Sequence, residues 1–449
     1  MASFSGAGDG LERLLDQLKE DLKTPNLSSK EQSDLLAKVK VYGRDPRTAG
    51  PIFKPENITT LCRYGLDKES GPTSHEALRC LANALLLNEP SRQIVVDQGF
   101  AAKAAERLKS DSIDDEFLAC RILFLLTYNT NIDFNAIATE HQLADSLNKR
   151  IAQHSTAFSD PGHNKPQSSL MEDMALTEAL KLIFNLTAHY PNLIPTFTPS
   201  IEPLTTILLH HPLPSPPLQP PISALINALL NLDLASATDH LPLTTHLTHL
   251  LSLTLQTTPA PSPDLDPTIT LLRRLHTLAP PSSPTQTHLR TTLLPSPADR
   301  AQPLGKGTNL PARLLQLASA PHLPTLRENV AALLFELSGS DPDAFVRNVG
   351  YGNAAGFLAS HNISVPPSAS NAGGGSEEGL EDVNPVTGQR WSAEEAGRGG
   401  EGPEMTEEEK EREAERLFVL FERLRATGVV DVENPVKRAR DEGRFEEVE

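Results

Sequence analysis

The sequence predicts an all-α fold, a right-handed solenoid of helical repeats, on three observations. An apolar helical segment over residues 76–88 recurs in altered copies at 117–129, 177–190, 225–232 and 330–338. The first four copies stand roughly 42 to 60 residues apart, near the ~40–47 of armadillo and HEAT repeats once loop insertions such as 158–169 are allowed. The first copy also belongs to a set of three helices within about 45 residues, an armadillo-like count.

Residues 11–22 and 29–42 read as an amphipathic helical pair, with Pro25 between them and Gly43 as a C-terminal stop. Within 76–88, Leu78, Leu81, Leu85 and the pair Ala82 and Leu86 form one apolar stripe, while Arg79 and Asn83, four apart, share another face. Aligning the copies places Arg79, Arg121 and Lys181 at one helical position, with Leu81, Leu123 and Ile183 in the core stripe. Residues 191–303 hold more than half of the 38 prolines. Leucines such as Leu247, Leu250, Leu251 and Leu255 keep helical spacing there, so repeats continue through proline-rich connections. The glycines from Gly350 to Gly356 follow a helix rather than a strand and lack a Gly-Lys-Ser/Thr end, so they read as a turn with tight helix packing.

The solenoid is expected over 1–363. A flexible acidic linker rich in Gly, Ser and Pro follows over 364–404, interrupted by an island at 384–388. Thr406 with Glu409 three residues later is a capping box, and Leu417, Leu420, Phe421 and Leu424 form one stripe. They predict a detached C-terminal amphipathic helix over 405–428, ahead of a charged tail over 429–449.

The net charge of −18 argues against a phosphate-backbone binder, so no nucleic acid is expected. Cys62, Cys80 and Cys120 are widely spaced and read as buried thiols. Neither they nor the separated histidines His210, His211, His240, His246 and His249 suggest a metal, and no cofactor is expected. No secretory signal and no apolar run near ~20 residues is visible, so a soluble cytoplasmic protein without a transmembrane segment is expected. No catalytic nucleophile or acid–base pair stands out, which points to a binding protein rather than an enzyme.

Six motifs in order carry a resemblance: residues 76–83, 121–127, 180–187, 350–356, 384–388 and 405–414. Together they resemble the synembryn family, the resistance-to-inhibitors-of-cholinesterase proteins, over roughly residues 30 to 435. The resemblance implies a non-receptor guanine nucleotide exchange factor and folding chaperone for heterotrimeric G-protein α subunits. It implies that the concave face of the solenoid captures the α subunit's C-terminal helix, promotes GDP release and stabilises the nucleotide-free state, while the C-terminal helix reaches the GTPase domain. It also implies a monomer recruited to the cell cortex through the G protein.

The residues expected to bind the α subunit are Lys40, Arg44, Arg79, Asn83, Arg121, Lys181, Asn185, Leu417, Leu420, Phe421 and Leu424. Lys40 and Arg44 match two basic contact residues of the family, with Lys40 replacing an arginine, and Asn83 matches a third contact. Leu125 stands where the copies at 83 and 185 have Asn. The alternative is a passive armadillo-type scaffold that binds peptides without exchange activity.

Overall fold

Prolines start many of the helices in this chain rather than breaking them. The computed structural model describes residues 5–158, 169–236, 239–258, 262–364, 383–384 and 386–398. In chain order its α-helices are α1 (Ser5–Lys23), α2 (Ser29–Tyr42), α3 (Pro55–Cys62), α4 (Pro72–Leu87), α5 (Pro90–Asp97), α6 (Phe100–Arg107) and α7 (Ile113–Leu126). Next come α8 (Phe134–Glu140), α9 (Leu143–Thr156), α10 (Leu170–His189), α11 (Ile201–His210), α12 (Ile222–Asn231), α13 (Leu241–Thr257) and α14 (Asp266–Leu278). The last are α15 (Pro284–Leu293), α16 (Leu310–Ala318), α17 (Pro324–Leu337), α18 (Pro342–Val349), α19 (Tyr351–Ser360) and α20 (Trp391–Arg398). Proline occupies the first or second position of α3, α4, α5, α14, α15, α16, α17 and α18, where its missing N–H costs nothing. That use of proline is why a proline-dense stretch stays helical.

The other helix starts are equally local. Ser28 and Ser169 form capping boxes with Glu31 and Glu172, and Ser112 accepts the amide of Asp115. Threonines survive inside α13 and α14 because their hydroxyls donate to the carbonyl four residues back, as Thr254 does to Leu250 (2.8 Å) and Thr270 to Asp266 (2.9 Å).

The chain divides into two units, Met1–His246 and Leu247–Glu449. In the first, α2, α4, α7, α10 and α12 pack in succession as one row, so the first four sequence copies are spatial neighbours. The register of α7 against α10 is parallel: Arg121 meets Glu178, Thr127 meets Asn185, and Ile132 meets Tyr190. Leu81, Leu123 and Ile183 are fully buried in this row, and the three cysteines, Cys62 on α3 among them, are buried as well. Leu86 departs from the apolar stripe expected of it and is 52% exposed. It lies one turn beyond Asn83, on the accessible side of α4.

A buried carboxylate locks α1 to α2 and to Tyr64, two residues past the end of α3. Asp21 accepts from the Tyr64 hydroxyl (2.6 Å), the amides of Asn26 (2.9 Å) and Leu27 (2.8 Å), and Gln32 Nε2 (2.8 Å). In the second unit α14 packs on α17, and Phe335, Phe345 and Phe357 meet with ring centroids 5.4 to 5.8 Å apart.

Within the stretch expected as a linker, residues 383–384 and 386–398 are hydrogen-bonded to the second unit. Leu304 donates to Thr387 O (3.0 Å), Gly352 to Val386 O (3.0 Å), and Arg300 to Gly388 O (3.0 Å). The island at 384–388 and the glycines at 350–352 thus explain each other. A Cβ on Gly352 would sit 3.1 Å from Val386 O, and one on Gly388, whose φ is +68°, would collide with Leu304. Residues 405–428, with Thr406, Leu417, Leu420, Phe421 and Leu424, lie outside the described residues.

Burial pushes the Asp21 and Asp115 carboxyls up. The hydrogen bond from Tyr64, with those from Asn26, Leu27 and Gln32, outweighs this at Asp21, and that from His75, with those from Ser70 and Ser110 and the Arg107 charge, does so at Asp115. Both end below the ordinary 3.8. A depressed folded value means the stabilisation is complete above the unfolded value and is lost as pH falls through the folded one. Urea midpoints are therefore expected to hold from about pH 7 to 5 and to drop below about pH 4. Asp21→Ala is expected to cost about 3 kcal/mol at neutral pH, measured by urea unfolding followed by circular dichroism.

Candidate functional site

The accessible side of the helical row in the first unit is built by a repeated register. The half-buried or exposed positions on this side include Glu76, Arg79, Asn83 and Leu86 of α4. On α7 they include Asp114, Phe117, Arg121 and Phe124, with Tyr128 just past its end, and on α10 Lys181 and Phe184. Each set steps by three or four residues, so it forms one stripe along its helix. The result is a face of aromatic rings, bases and amides carried on rigid helices.

Polar links run across the row. Lys40 on α2 pairs with Glu76 on α4, and Glu76 also accepts from Arg79 (2.8 Å). Arg79 reaches Asp114 on α7. Arg121 on α7 reaches Glu178 Oε1 on α10 (3.1 Å), which also accepts from Lys181 Nζ (2.9 Å). Asn185 Nδ2 donates to Thr127 Oγ1 (2.7 Å), and Asn231 of α12 donates to Phe184 O (3.1 Å). The Glu76 carboxyl is pushed up by burial, but Lys40 and Arg79 hold it below its ordinary 4.5. Arg121 stacks 6.0 Å from the Phe117 ring centroid and Lys181 lies 5.9 Å from that of Phe124.

These links sort the expected binding residues. Lys40, Arg79, Arg121 and Lys181 all lie on the face, each already paired with a carboxylate of this chain. Asn185 is 5% exposed and serves as a clasp between α7 and α10. Arg44 is exposed and Asn83 half-buried, and among the described residues neither side chain has a hydrogen-bond partner. Of the expected residues that are described, these two have side chains with no partner inside the described chain.

Sequence reasoning missed Glu76, Asp114 and Glu178, and the rings of Phe117 and Phe124. A signal was present: Glu76 precedes Arg79 and Glu178 precedes Lys181 by three residues, the spacing at which charges meet on a helix. Among the described residues no group of His, Cys, Asp and Glu is arranged to hold a metal ion, and no helix is long and apolar enough to cross a membrane.

A family model described as guanine nucleotide exchange factor synembryn matches residues 35–444. A synembryn-like chaperone of Schizosaccharomyces pombe is 33% identical over 169 residues, a match covering 35% of this chain and 31% of that protein. In that comparison this chain spans less than a third of the relative's length. Chaperone Ric-8A of Macaca fascicularis is 26% identical over 460 residues, covering 88% of this chain and 81% of that protein, and chaperone Ric-8A of Mus musculus is 24% identical, covering 94% and 86%. Among solved structures, a designed armadillo repeat protein aligns with 59% of this chain and 99% of its own at 14% identity and a TM-score of 0.39.

The buried carboxylate and the open amide are expected to respond differently to truncation. Glu178→Ala leaves Arg121 and Lys181 unpaired over a cavity and is expected to cost about 3 kcal/mol of stability. Asn83→Ala removes a side chain with no internal partner and is expected to change stability by less than about 0.5 kcal/mol. Urea unfolding of the two variants beside the wild type measures both.

Proposed function

Because the chain belongs to the synembryn family of guanine nucleotide exchange factors, we propose that it binds heterotrimeric G-protein α subunits, promotes GDP release from them and stabilises their nucleotide-free form as a folding chaperone does. The observation that carries this reading is the family match over residues 35–444, which takes in the later part of α2, the rest of the helical row and the segment at 384–388. The accessible face of the row supplies chemistry suited to a helix end. Asn83 offers donors to frayed carbonyls, Arg44 offers an unpaired guanidinium, and Phe124, Tyr128 and Leu86 offer apolar surface.

The work requires no covalent step. A factor that binds the empty α subunit more tightly than the GDP-loaded one must, by linkage, weaken GDP binding by the same ratio. Drawing the α subunit's C-terminal helix onto the face is the event to which that differential binding is assigned. The amphipathic segment with Leu417, Leu420, Phe421 and Leu424 is assigned the second contact, on the GTPase domain.

The test is GDP release from a purified α subunit with and without the full chain. Acceleration supports the exchange-factor reading, whereas binding without acceleration assigns the chain to passive scaffolds. Arg44→Glu combined with Asn83→Ala is expected to weaken α-subunit binding about tenfold with helicity unchanged, read by titration calorimetry and circular dichroism. Truncation after Ser370 is expected to keep measurable binding and lose most of the exchange rate. Full activity in that fragment would remove the role given to the terminal segment.

A further inference from the structure

The turn at 384–389 closes on itself. The Asn384 side-chain carbonyl accepts the amides of Val386 (2.9 Å) and Thr387 (3.3 Å), the local bonding that suits asparagine to turns. Its backbone donates to Gln389 O (2.7 Å) and accepts from the Gly388 amide (2.8 Å). Asn384 Nδ2 also donates to Glu394 Oε2 (3.0 Å), which fastens the turn to α20 immediately after it.

This closed piece is attached to the second unit chiefly through Arg300. The Arg300 guanidinium donates to Gly388 O (3.0 Å) on the turn and to Arg347 O (2.8 Å) and Asn348 O (3.3 Å) at the end of α18, and its own carbonyl accepts the Arg390 amide (2.9 Å). Carbonyls in the last turn of a helix lack intrahelical donors, so one side chain caps α18 and grips the turn together. Leu304 and Gly352 donate to the turn on either side of Arg300, and Gly388 is buried against Leu304 with no room for a Cβ.

The consequence lies farther along the chain. Counted from residue 364, forty-one residues precede Thr406, enough to carry it about 150 Å; counted from Arg398, seven do, and they cannot carry it beyond about 30 Å. We propose that residues 384–398 are a splint that moves the origin of the terminal segment forward onto the second unit, with Arg300 and Gly388 as positioning residues for nucleotide exchange. This rests on the reading above, in which the segment carrying Leu417, Leu420, Phe421 and Leu424 makes the second contact with the α subunit. Once the α subunit is bound, that contact is intramolecular, and its effective concentration falls roughly as the −3/2 power of the free length.

The experiment measures GDP release from an α subunit at saturating full chain, with a Gly/Ser insertion of about thirty residues placed either before or after the splint. The insertion after Arg398 is expected to slow accelerated release about tenfold. The same insertion after Gly374 is expected to leave it within about twofold of wild type, because the splint resets the origin. Gly388→Val, which places a β-branched side chain at a positive φ and against Leu304, is expected to slow release about as much as the insertion after Arg398. The two insertions leave the seam untouched, so the comparison stands even if Gly388→Val unfolds the second unit. Equal losses from both insertions, or no loss from the one after Arg398, overturn the splint and leave the exchange reading intact. If the wild type does not accelerate release, the exchange reading fails, and the splint is judged by the spin-label distance between Ser360→Cys and Thr406→Cys. A distance unchanged by the insertion after Gly374 and lengthened by the one after Arg398 supports it; lengthening by both counts against it.

Discussion

The first turn of α7 carries three consecutive carboxylates, and the packing of the first unit depends on where each one goes. Asp114 takes Arg79 of α4. Asp115, fully buried, takes His75 of α4 (3.0 Å) and lies 4.0 Å from Arg107 of α6. Glu116, also buried, takes His154 (2.8 Å) and lies 3.9 Å from Arg150, both on α9. A helix N-terminus favours negative charge, and successive residues point about 100° apart, so one turn can address three neighbours. Buried carboxylates are tolerated only when paired, which makes the positions of α4, α6 and α9 around α7 mutually dependent.

The same logic continues along the row toward the accessible face. Helices that meet only through leucine can slide, whereas links such as Lys40 to Glu76, Arg121 to Glu178 and Asn185 to Thr127 fix which turn lies beside which. The links lie at the boundary between core and solvent, so they set register while leaving parts of the bases accessible. A face built this way is preorganised: its donors are held by their neighbours, so a ligand such as the proposed one would cost less side-chain entropy to bind.

Much of the fold was legible because its signals are local. The leucine stripes at 78, 81 and 85 and the serine and proline starts report helices directly, and recurrence of the stripe reports the row. Leu86 was misjudged because periodicity marks an apolar residue without revealing that its side faces solvent near a helix end. The expected site was legible only in part. Sequence alignment of the copies found the bases Arg79, Arg121 and Lys181, but the links that cross between helices run to partners 35 and 57 residues away, Asp114 for Arg79 and Glu178 for Arg121. Pairing across that distance is a property of packing. Likewise, the glycines at 350 and 352 and the island at 384–388 were separate motifs in sequence, and only their contact gives both a reason.

The central claim is that the accessible face of this row distinguishes states of an α subunit rather than merely holding it. Measuring the affinity of the full chain for one α subunit, nucleotide-free and loaded with GDP, tests that most directly. The account predicts tighter binding of the empty form by about 5- to 150-fold, the range of typical coupling energies. Equal affinities for the two forms would contradict it, since a ligand that binds both states alike cannot promote nucleotide release.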